Sequence, residues 1–131
     1  MKYLLDTGVF LWGVAAEDRL NSMAQQVLTA SSSELYLSAA GAWEIAIKFA
    51  LGSVPLPKAP AEYIPYAQRL WGIQMLNITF EHAFRAGVLP LHHRDPFDRM
   101  IIAQALSERM TLLTSDRVFQ KYKVEMIFCG K

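Results

Sequence analysis

Apolar positions along the chain fall into two kinds of segment. Some are short unbroken runs closed by a polar residue, which suit buried strands. Others recur at three- and four-residue spacing, which suits helices. Residues 2–5 form a run of the first kind and stop at Asp6. Thr7 to Val14 carries Val9, Phe10, Leu11 and Trp12 and predicts a short helix. Residues 20–31 place Leu20, Met23, Ala24, Val27 and Leu28 at helical spacing, and Ser31-Ser32-Ser33 makes a turn. Leu35-Tyr36-Leu37 predicts a second strand. Ala39 to Leu51 predicts a helix that is apolar on nearly every side, ended by Gly52. A loop opens at Leu56-Pro57, and a helix follows from Ala61 to Leu70. Residues 73–78 predict a third strand and Phe80 to Val88 a helix, with Pro90 breaking the pattern.

Asp95-Pro96 is a strong helix start, with the Asp as N-cap and the Pro at the first helical position. That helix runs to about Met110. Thr111 to Thr114 predicts a fourth strand leading to Asp116, Val118 to Tyr122 a helical turn, and Val124 to Phe128 a last strand. Strands alternating with helices predict an α/β fold with a mainly parallel sheet.

In such sheets ligands bind beyond the carboxyl ends of the strands. Four carboxylates far apart in sequence fall there. Asp6 closes the first strand, Glu44 lies early in the helix after the second, Asp98 sits in the first turn after Asp95, and Asp116 follows the fourth strand. Glu34, Glu108 and Glu125 fall elsewhere, and Glu81 suits either the rim or a helix dipole. Each of the four also has an ordinary reading. Asp6 could cap the next helix, Asp98 could answer the dipole, and Asp116 could be a turn residue. Glu44 in an apolar helix needs a partner. Clustered carboxylates repel one another unless cations share the site, and hard Mg²⁺ or Mn²⁺ ions are the natural occupants. A pair of such ions clamps the attacking and leaving oxygens of a phosphodiester.

Composition narrows the picture. The 131 residues suit a single domain spanning 1–131, with 53% hydrophobic and 19% charged residues and a net charge of +1. That balance excludes disorder and a protein that coats nucleic acid, but not an enzyme acting on it at one site. The apolar excess, around Trp12 and between Trp43 and Leu51, suits core packing on the sheet for the most part, and the remainder points to surface meant for a partner. A lone Cys129 excludes an internal disulfide and favours a reducing, cytoplasmic setting. No run suits a signal peptide or a membrane span.

Several blocks together carry a family resemblance. They are Leu4-Leu5-Asp6-Thr7 with Phe10-Leu11-Trp12, Trp43-Glu44-Ile45-Ala46-Ile47-Lys48, and Leu89-Pro90-Leu91. His93-Arg94-Asp95-Pro96-Phe97-Asp98-Arg99-Met100, Ile102-Ala103-Gln104-Ala105 and Leu113-Thr114-Ser115-Asp116 complete the set. The chain resembles the VapC-type toxins, PIN-domain ribonucleases of bacterial toxin–antitoxin pairs, over essentially its whole length. The resemblance implies a three-layer α/β/α sandwich and Mg²⁺- or Mn²⁺-dependent RNA cleavage at Asp6, Glu44, Asp98 and Asp116. It also implies a homodimer and a cognate antitoxin that places a basic side chain in the acidic site. Thr7, Asp95, Arg99, Thr114 and Ser115 are candidates for a supporting or RNA-contacting role. For Asp95 the leading reading is a helix cap, and for Arg99 the rival is an ion pair with Asp95. Arg94, Arg99 and Arg117 are candidates to steer the RNA backbone. His93 reads as a cap or loop contact, and His82 and His92 carry no signal. Gly8 and Gly41 stand where close relatives usually have His and Ser, which keeps open an alternative: a PIN-fold protein that only binds a partner. Asp6-Thr7-Gly8 also matches an aspartic-protease motif, but those folds are β-rich.

Overall fold

The computed structural model describes residues 1–131. Five strands form one sheet, β1 (Lys2–Leu5), β2 (Glu34–Ser38), β3 (Ile73–Leu76), β4 (Thr111–Thr114) and β5 (Met126–Phe128). Their order is β3-β2-β1-β4-β5, and every neighbouring pair is parallel. The chain therefore builds outward from β1 in one direction, then returns to its other side through β4. The switch in direction falls between β1 and β4, where an open α/β sheet leaves a crevice at its carboxyl edge.

Six helices cover the two faces: α1 (Thr7–Ala15), α2 (Ser22–Thr29), α3 (Ala39–Ala50), α4 (Pro60–Trp71), α5 (Phe80–Val88) and α6 (Pro96–Glu108). The period-2 alternation of β1 divides the core. Tyr3 and Leu5 join Val9, Phe10, Leu28, Ile45 and Ile64 on one face, while Leu4 joins Ile101, Ile102, Ala105 and Phe119 on the other. The result is the three-layer α/β/α sandwich expected.

Local chemistry starts the helices where the pattern says. Asp6, Asn21, Ser38 and Asp95 each accept a backbone N–H of the first turn of α1, α2, α3 and α6. Asn21 shortens the second helix to Ser22–Thr29, and a 3-10 turn, Glu17–Arg19, fills part of the stretch before it for which no element was expected. The third strand ends at Leu76 and the last begins at Met126, both shorter than the apolar runs suggest.

α3 is apolar on nearly every side yet buries only Ala40, Gly41, Glu44 and Ile45, so less of it packs on the sheet than expected and more of it is open surface. Trp43 is 63% and Leu51 75% exposed. A second exposed stripe, Phe80, Phe84 and Val88 at four-residue spacing on α5, was not anticipated. No helix is long and apolar enough to cross a membrane.

Leu4 is fully buried in the central strand. Its replacement by Ala should cost about 2–5 kcal/mol of stability through lost burial and a cavity. Urea denaturation measures this, and a loss below about 1 kcal/mol would contradict the central place given to β1.

Candidate active site

The four carboxylates converge at the carboxyl edge beside the β1–β4 switch. Asp6 is 7% exposed. One of its oxygens accepts the Val9 N–H at 2.7 Å as the cap of α1, and the other accepts the Thr114 hydroxyl. The cap and site readings of Asp6 are therefore compatible. Burial pushes its carboxyl above the usual range. The hydrogen bonds from Thr114, Val9 and Ser115 pull it down, and the Asp116 charge adds to the rise.

Glu44 is buried on α3 and has the partners its setting demands. The Thr7 hydroxyl donates to Oε1 at 2.6 Å, and Lys48 Nζ, one turn on, donates to Oε2 at 2.8 Å. That bond holds the Lys48 ammonium above its ordinary pKa.

Asp98 and Asp116 meet at His93. Nε2 of His93 lies 2.9 Å from Asp98 Oδ2 and 3.3 Å from Asp116 Oδ2. The other ring nitrogen, Nδ1, accepts the Asp95 backbone N–H at 3.2 Å. Nδ1 must then carry a lone pair, which puts the ring proton on Nε2, facing both carboxylates. The Asp98 carboxyl is pushed up to about 7. Burial is the main cause, the charges of Asp95, Glu44 and Asp6 add to it, and His93 opposes.

The remaining candidates take supporting positions. Thr114 donates to Asp6 and accepts the Asp116 N–H at 3.0 Å, so one hydroxyl joins two of the acids. Asp116 Oδ1 caps the 3-10 turn Arg117–Lys121 through Val118 N–H. Asp95 caps α6 by accepting the Phe97 N–H. A Cβ on Gly8 would lie 3.6 Å from Asp6 Oδ1 and 3.7 Å from Ser115 Oγ, so Gly8 leaves room beside the acids. A Cβ on Gly41 would meet Leu37 Cδ1 at 3.1 Å and Thr7 Oγ1 at 3.4 Å, so Gly41 lets α3 close on the Thr7–Glu44 contact.

Arg99 is placed differently from both of its sequence readings. It meets neither Asp95 nor the acids. Its guanidinium donates to the carbonyls of Ala86, Leu89, Pro90 and His93 at 2.8–3.3 Å. Tyr122 reinforces the same loop, donating to Pro90 O and accepting the His93 N–H. Together they hold residues 89–95 so that His93 reaches between Asp98 and Asp116. Sequence reasoning put His93 in the loop but missed this position. The available signal was its place two residues before the Asp95-Pro96 cap, which fixes the loop against the start of α6.

A sequence model described as PIN domain matches residues 3–125. The chain belongs to the PIN-domain family. It is 40% identical over 67 residues to Ribonuclease VapC16 of Mycobacterium tuberculosis (strain ATCC 25618 / H37Rv). That match covers 51% of this chain and 47% of the relative, about half of each. The PIN fold is also that of VapBC2 from Rickettsia felis bound to a promoter DNA fragment, at a TM-score of 0.74 and 16% identity over 99% of this chain and 100% of that one. A toxin–antitoxin complex from Klebsiella pneumoniae aligns at a TM-score of 0.63 and 17% identity, over 95% of each chain. At these identities the likeness is one of fold.

The donor set of this PIN domain suits a hard divalent ion. Ligand atoms of His93, Asp98 and Asp116 lie within 4.8 Å of one another. Carboxylate oxygens are the ligands Mg²⁺ and Mn²⁺ prefer. His93 Nε2, carrying the proton, donates a hydrogen bond in this arrangement. Asp6 and Glu44 stand outside that tight group, yet both charges act on Asp98.

The raised Asp98 carboxyl has a pH signature. Asp98 rises from 3.8 to about 7 on folding, so the folded chain holds that proton more tightly than the unfolded one. Stability from this group is fully present below about pH 4 and is lost as pH rises through about 7. In EDTA, the Tm should fall between about pH 5 and pH 8, and Asp98→Asn should flatten that fall. Differential scanning fluorimetry reads both, and an unchanged pH slope in the variant would contradict the raised Asp98 carboxyl.

Proposed function

We propose that the protein is a metal-dependent endoribonuclease and the toxin of a toxin–antitoxin pair. Its site would be Asp6, Glu44, Asp98 and Asp116, holding one or two Mg²⁺ or Mn²⁺ ions. The observation that carries this reading is the convergence of four carboxylates from four separate elements. Burial, with the charges of Asp95, Glu44 and Asp6 adding to it, pushes the Asp98 carboxyl up to about 7. A structural role would favour spreading such charges apart. The 40% identity to a ribonuclease over about half of the chain points the same way.

A bound divalent ion supplies Lewis acidity to the scissile phosphate and to the attacking water. The chain's residues supply the frame. Asp98 and Asp116 present oxygens toward one point, with His93 fixing their spacing. Asp6, held by Thr114 and Val9, sets the floor of the site without room to swing. Glu44 is oriented by Thr7 and Lys48. Arg94 and Arg117, exposed next to His93 and Asp116 in sequence, would steer the polyanion toward a pocket that otherwise repels it.

Purified protein with Mg²⁺ or Mn²⁺ should cleave members of a panel of structured RNAs. Asp98→Asn should lower the rate by roughly 100-fold while the circular dichroism spectrum stays that of a folded chain. EDTA should stop cleavage. Full activity in the variant would sink the site assignment, and activity surviving chelation would sink the metal. A folded wild type that cleaves no RNA under these conditions would favour the partner-binding alternative.

The partner is part of the same proposal. Trp43 and Ile47 on α3, Leu51 just after it, and the Phe80–Phe84–Val88 stripe on α5 are large apolar side chains left open to solvent, the kind of surface a partner covers. That suits a homodimer and an antitoxin in the cytoplasm, and the Klebsiella pneumoniae relative in fold is itself a toxin–antitoxin complex. Co-expressed with the adjacent reading frame, the chain should co-purify with a small protein. Recovery as a solitary monomer would count against the pairing.

A further inference from the structure

The three arginines near the site are not equivalent. Arg99 is engaged with four carbonyls and has no free face for a ligand. Arg94 is exposed on the loop before α6. Arg117 directly follows Asp116 and is exposed, yet it is held in place. Its guanidinium carbon lies 3.9 Å from the centre of the Phe128 ring. The other cation–ring pairs, at Tyr36, Trp12 and Tyr66, are 5.8–6.0 Å apart. Only Arg117 is in stacking contact.

The position of Phe128 follows from the sheet. Phe128 ends β5 and is the register partner of Thr114, whose hydroxyl bonds Asp6. Neighbouring strands are about 4.8 Å apart, so the ring stands one strand from the acids. Met126 packs with the α6-side core and Ile127 with the opposite one. Alternation then turns Phe128 to the α6 side, where Asp98 lies.

Gly130 adds an independent observation. A Cβ there would come within 2.9 Å of the Phe128 ring. Gly130 is not among the positive-φ glycines, which are Gly52 and Gly72. Backbone conformation therefore does not require glycine at 130, whereas the ring's position does. Asn21 fixes the same strand end by donating to the carbonyls of Phe128 and Gly130 at 2.8 and 3.2 Å.

We propose that Arg117, packed over Phe128, grips an RNA backbone phosphate flanking the cleavage site, and that Gly130 leaves the room the ring occupies. The proposal rests on the ribonuclease reading. The ion pairs draw their cations from Lys48, His82 and His93, so no carboxylate competes for Arg117. Contact with the ring holds the guanidinium, whose N–H fork matches phosphate oxygens. Lysine supplies the charge without the fork or the stack.

The test compares wild type, Arg117→Lys, Phe128→Leu and the double variant on a structured RNA that wild type cleaves, with Mn²⁺. Each single variant should raise KM roughly tenfold with kcat within about twofold, because the lost contact is made equally in ground and transition states. The double variant should be no worse than either single one, since the two side chains act as one unit. Arg117→Ala should also reduce the salt slope of single-stranded RNA binding, read by fluorescence anisotropy in EDTA, by about 0.7. Wild-type KM in both single variants, multiplying effects in the double, or an unchanged salt slope would each overturn the proposal. A wild type that neither cleaves nor binds RNA would instead overturn the ribonuclease reading beneath it.

Discussion

Crowded negative charge at the carboxyl edge of the sheet is the constraint around which this structure is organised. Asp6, Glu44, Asp95, Asp98 and Asp116 approach one another there, and a buried carboxylate without a partner is costly. Each is answered by a different local device. Asp6 has a helix N-terminus and a threonine hydroxyl, and Glu44 has a threonine and a lysine one turn away. Asp98 and Asp116 share one imidazole N–H, and Asp95 caps α6. Asp98 still has its carboxyl pushed up to about 7, first by burial and then by the charges of Asp95, Glu44 and Asp6.

Parallel topology makes the crowding possible. Because all five strands run the same way, every strand end and the helix start after it open toward one edge. The order β3-β2-β1-β4-β5 then sets β1 beside β4, so Asp6 and Asp116, far apart in sequence, become neighbours joined through Thr114. The α5–α6 loop closes the other side. Arg99 and Tyr122 hold its carbonyls and deliver His93 between the remaining pair. Fold and site are therefore one construction, in which the groups that satisfy the backbone also aim the acids.

Much of this was legible in the sequence because its causes are local. Asp6 after an apolar run, Asp95 before Pro96 and Asp116 after Thr114-Ser115 each mark a strand end or helix start by short-range chemistry. What stayed hidden depends on contacts between distant segments. Nothing near Arg99 in sequence announces that carbonyls from residues 86 to 93 will fold around it. The place of His93 needs the β4 end and the α6 start brought together first. The apolar character of α3 was legible, but how much of it would stay uncovered was not. A period-3.6 pattern reports which residues are apolar, not whether this chain or another molecule covers them.

The central claim is that these acids are arranged for a divalent cation, and Mn²⁺ binding measured by isothermal titration calorimetry tests it most directly. Wild type near pH 7 should bind Mn²⁺ and release protons on binding, seen as a heat that depends on the buffer's ionisation enthalpy, because Asp98 still carries much of its proton there. Asp98→Asn should weaken binding by roughly tenfold or more and lose the proton release. Mn²⁺ binding of equal strength and equal proton release in the variant, or none in a folded wild type, would contradict the account.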